Sequence, residues 1–308
     1  MKKIVITEFM DLPAVEALKA KFDVVYDPKL VDDAGRLARE VADADALIVR
    51  NRTQVRGDLL RACKKATVIG RLGVGLDNID VPACEARGMR VIPATGANAL
   101  AVAEYVIGTA MLLLRGVYQS SDKVADGSWP RPALSNGRET SGKTLGLVGF
   151  GGIGQLTARL AKGLGMNVIA ADPMLPADAP AWKQAGVACK HLDGLLAEAD
   201  VISLHVPLTP ETKNLLSAER IGRMKQGAVV INTARGGIAD ETALAAAIKS
   251  GRLGGAAFDV FEPEPLKAGN AWVGCPNVIL TPHVAGVTAE ANERVSTLIA
   301  AEVEKALA

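Results

Sequence analysis

The sequence predicts an α/β protein built from two doubly wound parallel-sheet domains. Three observations carry that expectation. At 308 residues the chain is longer than one ordinary core serves. Short β-rich runs alternate with helical stretches from end to end, the rhythm of parallel strands joined by crossover helices. Aromatic residues make up only 4% against 49% hydrophobic residues, so the cores are Val, Ile, Leu and Ala, the composition of strands buried on both faces.

Taken in order, strands are expected over 3–6, 22–26, 46–49, 68–71 and 90–93, with helices over 13–21, 36–41, 57–62 and 81–87 between them. Residues 99–115 read as one long helix, apolar on nearly every face, which fits a helix that is deeply buried or shared with another subunit. Residues 126–141, rich in Gly, Pro, Ser, Asn and Arg, read as loop. A second, stronger series begins at Lys143. It has a strand over 144–148, a glycine cluster, a helix over 153–164 and a strand over 167–171. Strands over 201–204, 228–231, 255–258 and 278–280 and a closing helix over 289–307 complete it.

Composition narrows the function classes. The formal net charge is +1 and no Lys/Arg cluster stands out, so no nucleic-acid partner is expected. The longest apolar stretch, near 102–114, is interrupted by Glu104, Tyr105 and Thr109 and is too short for a bilayer, so no membrane partner is expected. The N-terminus reads as a first strand, not a signal peptide. Cys63, Cys84, Cys189 and Cys275 lie far apart with no metal-ligand spacing. They read as reduced thiols of a cytoplasmic protein, and no metal is expected.

Gly149, Gly151, Gly152 and Gly154 fit G-x-G-x-x-G, with Ile153 inside the run. The motif alone is weak, but here an apolar strand precedes it and a helix follows. The first Gly lets the chain turn, the second lets the backbone approach a pyrophosphate, and the third lets helix and strand pack closely. The helix N-terminus then offers unpaired N–H groups to the phosphates. Asp172 ends the next strand, 18 positions after Gly154 (172 − 154), near the roughly 20 expected of the acid that binds the ribose hydroxyls. Pro173 and Met174 follow it, with no Arg to receive the extra phosphate of NADP. The expected cofactor is NAD.

Three residues able to serve hydride transfer lie at successive strand ends of the same unit, where open α/β sheets bind ligands: Arg235, Glu264 and His283. A guanidinium grips a carboxylate with two parallel hydrogen bonds and polarises an adjacent carbonyl. Oxidising an alcohol needs a base for the hydroxyl proton and reduction needs the same group as an acid. Histidine does both near neutral pH. A carboxylate beside the ring fixes its tautomer. Each residue alone could be structural; it is the three together that point to chemistry. His191 reads as a loop residue, and His205, at a strand end, as lining the cofactor cleft.

These segments together resemble the D-2-hydroxyacid dehydrogenase family, in particular its phosphoglycerate dehydrogenase branch. The likeness runs from the segment 70–80 to the segment 281–286 with six motifs in family order. The resemblance implies that Arg235 binds the substrate carboxylate and carbonyl, His283 is the proton donor or acceptor, and Glu264 orients it. It implies that Gly152 and Ile153 meet the pyrophosphate and Asp172 the ribose. Thr233, Ala234 and Asp259 would lie on the nicotinamide side, and His205, Pro207, Thr212 and Gly286 would complete the cofactor site. The backbone of Gly73, Val74 and Gly75 would hold the substrate carboxylate. It further implies a Rossmann-type NAD domain, residues 99–282, inserted into a flavodoxin-like substrate domain made of residues 1–98 and 283–308. The helix 99–115 would be the hinge and the homodimer element. Against longer phosphoglycerate dehydrogenases, ending at residue 308, the chain is expected to lack their serine-sensing domain, and serine feedback is not expected of it. Glu264 stands where the formate branch would carry an amide.

The substrate is expected to be a small anionic 2-hydroxy acid. Arg50 and Arg52 follow the strand 46–49, where positions two apart face the same way. If that edge lines the cleft, the two guanidiniums take a second anionic group on C3. The alternative is two solvated arginines. The segments 50–55 and 94–100 resemble sulfolactate dehydrogenases more than phosphoglycerate dehydrogenases. The order of expectation is therefore 3-sulfolactate, then 3-phosphoglycerate, then glyoxylate or hydroxypyruvate. A non-enzymatic NAD-sensing corepressor is the reading from another class.

Overall fold

A computed structural model describes residues 1–308, and the chain divides into two units: residues 1–98 with 287–308, and residues 99–286. The first unit holds strands β1 (Lys3–Ile6), β2 (Asp23–Tyr26), β3 (Ala46–Val49), β4 (Val68–Arg71) and β5 (Arg90–Pro93). They form one parallel sheet in the order β2-β1-β3-β4-β5, the flavodoxin-like order. Helices α1 (Leu12–Lys19), α2 (Ala34–Val41), α3 (Gly57–Ala62) and α4 (Val81–Glu85) connect the strands. All five expected strands occur, the second shorter by one residue.

Period-two alternation explains why a continuous apolar run serves two faces. Ile4, Ile6, Ile48 and Val68 turn to one side, where Val15 and Leu18 of α1 and Ile299 and Val303 of the last helix pack on them. Val5, Leu47, Val49 and Ile69 turn to the other, against Leu37 and Val41 of α2 and Leu60 of α3. Side chains Asp33 and Asp80 cap α2 and α4 by accepting the N–H of Arg36 and Ala83.

The second unit opens with α5 (Ala99–Arg115) and the short α6 (Ser121–Ala125), then a largely irregular stretch. It continues through β6 (Thr144–Val148), α7 (Gly152–Gly163), β7 (Asn167–Ala171), α8 (Pro180–Ala185), β8 (Ala188–Cys189), α9 (Leu192–Glu198) and β9 (Val201–Leu204). Then come α10 (Ala218–Arg223), β10 (Val229–Asn232), α11 (Glu241–Lys249), β11 (Gly255–Phe258) and β12 (Val278–Leu280). Helix α12 (Ala289–Leu307) returns to the first unit. The sheet is parallel, ordered β12-β11-β10-β9-β6-β7-β8, so the chain reverses direction across the sheet between β6 and β9. Loops leaving those two strands diverge there, which makes the switch point a ligand site.

Here too the faces separate. Leu145, Leu147, Val229 and Ile231 pack under α5 and α7, while Val148, Ile202, Val230 and Phe258 pack under α9, α10 and α11. Helix α5 is less uniformly covered than its composition suggests. Ala103, Val106, Ala110 and Leu113 are buried, and Leu100, Glu104, Gly108, Met111 and Arg115 form an exposed stripe. The helices α6 and α8–α11 and the two-residue β8 have no counterpart among the sequence expectations. No single helix is long and apolar enough to cross a membrane.

One boundary moves. The second unit runs to Gly286, past the expected limit at residue 282. The reason is Asp259, at the end of β11. Its buried carboxylate accepts the N–H groups of Val284 (2.8 Å) and Ala285 (2.8 Å) and the hydroxyl of Thr281 (2.6 Å), tying that loop to the sheet.

Candidate active site

The glycine loop leaves β6 at the switch point. Gly149 has φ 97°, a left-handed value that favours glycine, and a Cβ there would lie 2.7 Å from the carbonyl oxygen of His205. A Cβ on Gly154 would lie 2.5 Å from the carbonyl oxygen of Gly149. Gly151 and Gly152, by contrast, face open space. The loop is thus closed toward the sheet and open outward, at the N-terminal turn of α7, whose first N–H groups precede the first intrahelical bond. Ile153 lies in that turn.

Asp172 is fixed at the end of β7 by two backbone donors, Phe150 N–H (2.8 Å) and Met174 N–H (2.9 Å). Its carboxylate stays partly exposed. After β10, the hydroxyl of Thr233 is buried without a protein partner, beside Ala234. A cradle that any side chain would fill and an orphaned buried hydroxyl both fit a dinucleotide.

His205 follows β9 half-buried. Desolvation pushes its imidazole down to about 4, and Ser203 Oγ lies 2.9 Å from its Nε2. Thr212 turns inward on its own loop, donating to Pro207 O (2.6 Å) and accepting from Thr209 N–H (2.7 Å). It therefore shapes the segment 207–212.

His283 and Glu264 meet. The ring Nδ1 donates to Glu264 Oε2 at 2.8 Å, and Glu264 Oε1 accepts the N–H of Phe261 at 3.1 Å. A carboxylate only accepts, so Nδ1 carries the proton and Nε2 is left to face outward as acceptor, or as donor once protonated. His283 has φ 58°, left-handed for a non-glycine residue. Such strain persists only where surroundings over-determine it. Here they do: the His283 N–H donates to Asp259 O (2.8 Å), Asp259 clamps the next two amides, and Thr281 is held by Tyr105 (2.6 Å). Gly286 closes this loop. Asp259, expected near the nicotinamide, uses both carboxylate oxygens to build the His283 loop.

Arg235 lies on a turn that Asn232 ties from both ends, accepting Ala234 N–H (3.0 Å) and donating to Arg235 O (2.8 Å). The next residue brings two loops together. A Cβ on Gly236 would lie 2.1 Å from the carbonyl carbon and oxygen of Phe261 and 2.6 Å from Glu262 N. The backbone that bears Arg235 therefore rests on the loop that bears Glu264.

In the first unit, the segment holding Gly73, Val74 and Gly75 follows β4. Gly73 uses its N–H on Arg71 O and its carbonyl on Ala94 N–H, both at 2.8 Å, and Val74 is exposed. Residues 50–53 do not continue β3. Buried Glu8 gathers their amides, accepting from Arg50 and Thr53 on Oε1 and from Arg52 on Oε2, all at 3.0 Å. Asn78 holds the carbonyls of Arg50 and Thr53. Strand alternation therefore ends at Val49, and the two arginines part. Arg50 is half-buried, 5.6 Å over the Phe9 ring and 2.9 Å from Asn292 Oδ1, with no carboxylate paired to it. Arg52 is exposed and ion-paired with Asp32.

Burial raises Glu8, but the amides of Thr53, Arg52 and Arg50 outweigh it and hold the carboxyl below the usual range. Its stabilising share is present above about 4.5 and is lost as pH falls further. His205, depressed instead, charges more easily in the unfolded chain, so its share is lost between 6.5 and about 4. On acidification, chemical denaturation is expected to show the His205 share lost first and the Glu8 share below it. Glu8→Gln should flatten the lower step and remove about 1–3 kcal/mol at neutral pH.

Asn232, Tyr105, Thr281, Glu8, Asn78 and Asn292 were not among the expected site residues. Only Asn232 and Thr281 lie beside the expected catalytic residues in sequence. The fold and this arrangement define a nicotinamide-dependent oxidoreductase. A model of the D-isomer specific 2-hydroxyacid dehydrogenase NAD-binding domain matches residues 107–285. An (S)-sulfolactate dehydrogenase of Chromohalobacter salexigens is 51% identical over 100% of this chain and 99% of its own length. A D-3-phosphoglycerate dehydrogenase of Methanocaldococcus jannaschii is 39% identical over 100% of this chain, which spans 58% of that longer relative. The crystal structure of the TT0316 protein of Thermus thermophilus superposes with a TM-score of 0.85, 33% identical, covering 97% of this chain and 94% of that one. The chain belongs to the D-isomer specific 2-hydroxyacid dehydrogenase family and is an NAD-dependent oxidoreductase.

Proposed function

We propose that the chain interconverts a 2-hydroxy acid carrying a second anion on C3 with its 2-oxo acid, and that the acid is 3-sulfolactate. The observation that carries this is Arg50. A half-buried guanidinium without a carboxylate partner is costly unless an anion meets it, and Phe9 and Asn292 hold it in one pose. Burial also disfavours its charge, which a bound sulfonate reverses. Arg52, engaged by Asp32, is left a secondary role. The sulfolactate dehydrogenase relative, alike over its whole length, supports the same substrate. 3-Phosphoglycerate is the second reading, since a C3 phosphate meets the same group.

Bound NAD would supply the hydride chemistry at C2. The chain's own residues do the rest. Arg235 grips the carboxylate and polarises the C2 oxygen. His283 Nε2 takes the hydroxyl proton in oxidation and returns it in reduction, and Glu264 keeps Nδ1 protonated so that Nε2 is the acting atom. In the segment 73–75 the N–H groups of Val74 and Gly75 donate to the substrate carboxylate, while Gly73, its own N–H spent on Arg71 O, shapes the turn. Asp172 receives the ribose hydroxyls, the Gly151–Gly154 turn the pyrophosphate, and Thr233 the nicotinamide side. Four free cysteines fit a reducing cytoplasm. The exposed stripe of α5 with Leu100, Gly108 and Met111 suits a second copy of the chain, and light scattering should then report twice the 32.1 kDa of one chain.

NAD reduction at 340 nm with 3-sulfolactate, 3-phosphoglycerate and D-lactate tests the reading. Turnover of one C3-anionic acid is expected, with kcat/KM lowered about 100-fold in Arg235→Ala. Arg50→Gln should raise KM about 10- to 100-fold for that acid and leave D-lactate nearly unchanged. Equal losses on both acids would overturn the role of Arg50.

A further inference from the structure

Two carboxylates divide consecutive backbone amides between them. Glu264 Oε1 accepts the N–H of Phe261 at 3.1 Å, and Glu241 Oε1 accepts the N–H of Glu262 at 3.3 Å. The second oxygen of each reaches further. That of Glu264 meets His283 Nδ1 at 2.8 Å, and that of Glu241 meets the indole Nε1 of Trp272 at 2.9 Å. Glu241 opens α11, directly after Asp240, which caps the helix by accepting Ala243 N–H. Trp272 is buried against Phe258, the last residue of β11, with ring centroids 4.8 Å apart. Glu241 therefore bolts the loop 261–264 to a helix start on one side and to the sheet's end on the other.

The loop needs such a bolt. Glu264 is 37% exposed and its only hydrogen bond to the backbone is local, to an amide three residues before it. Nothing in that bond fixes where the loop as a whole stands relative to His283. The glycine contact at 236 sets a distance of approach but donates no directional bond to the loop. A carboxylate at 241 is also an expensive choice. Burial, then the nearby Glu262 and Glu264, push it above the usual range against the two donors it accepts. Lys213 lies near Glu262, 4.0 Å from its Oε1, and not at Glu241. A position that served packing alone needs no charge there.

We propose that Glu241 is a positioning residue for the reaction: it holds the loop 261–264 so that Glu264 faces Nδ1 of His283. It acts through Glu264 and touches neither substrate nor cofactor. The inference rests on the acid–base role given to His283 above.

A double-mutant cycle tests it. Glu241→Gln keeps the size and one acceptor but loses the second. It is expected to lower kcat about 10-fold with KM changed by no more than about two-fold. In a Glu264→Gln background the same change is expected to cost less than about two-fold, because the charge that Glu241 serves to aim at the ring is already gone. Trp272→Phe keeps the ring, removes the donor and should move kcat in the same direction, which guards against a variant that merely fails to fold. Proton NMR supplies a readout without turnover. The downfield Nδ1–H resonance of His283 should be present in the native chain and lost or shifted upfield in Glu241→Gln. Equal losses in both backgrounds, or an unchanged resonance in a folded Glu241→Gln, would overturn the inference. A native chain that turns over no hydroxy acid would sink the functional reading while leaving the NMR comparison to judge Glu241.

Discussion

His283→Asn is expected to lower kcat by about 10²- to 10⁴-fold, the usual share of a positioned acid–base group. Asparagine is the informative replacement because the backbone here is left-handed, with φ 58°, and Asn tolerates that conformation where alanine strains it. The loop should therefore survive, with Asp259 still holding the amides of Val284 and Ala285. NAD affinity, read by quenching of tryptophan fluorescence, should stay within about three-fold, since the cradle at 149–154 is built by other strands. Glu264→Gln should cost less, because an amide in place of the carboxylate can still accept from Nδ1 but no longer stabilises the charged ring. A His283→Asn protein with near-native turnover would remove the ring from the reaction and the mechanism with it.

Gly236→Ala is expected to lower kcat/KM by about 100-fold or more, although it adds a single methyl group to a residue that binds nothing. That methyl would sit 2.1 Å from the peptide of Phe261. Both partners are backbone, so no side chain can swing away and the two loops must part. Misplacing reacting groups by about 1 Å is enough for a 10²-fold loss. Arg235 and Glu264, the partner of His283, are carried by the two parted loops, so the damage should appear in kcat as well as KM. Gly222→Ala is the matched control. It lies in α10 with nothing within 4 Å of the added Cβ, and should leave activity unchanged with stability equal or higher by up to about 1 kcal/mol. Equal activity in the two variants would show that the loops are not locked together at residue 236.

Several parts of this site are legible in one dimension because their chemistry is local. The glycine spacing, the strand before it and Asp172 after the next strand lie within one βαβ unit. The three residues Arg235, Glu264 and His283 announce themselves by following three apolar runs. Arg50 and Arg52 show the limit of such reading. Two-residue alternation holds only while the strand lasts, and Glu8, more than forty positions earlier, ends it by collecting three amides. No window around residue 50 contains that carboxylate. Asp259 likewise reads as one more strand-end acid until its three donors, more than twenty residues on, are seen.

The sequence by itself determined the class of the fold, the strand pattern, the cofactor and the candidates for the reacting groups. Each of these depends on periodicity or on spacing within a unit, and neighbouring residues set both. Only the tertiary structure decided which carboxylate builds a loop and which meets the His283 ring, that Arg50 is left without a carboxylate while Arg52 is neutralised, and that Glu241 stands behind Glu264. The physical reason is that a carboxylate's role is set by which donors reach its two oxygens, and here those donors arrive from other loops and strands that folding alone brings near.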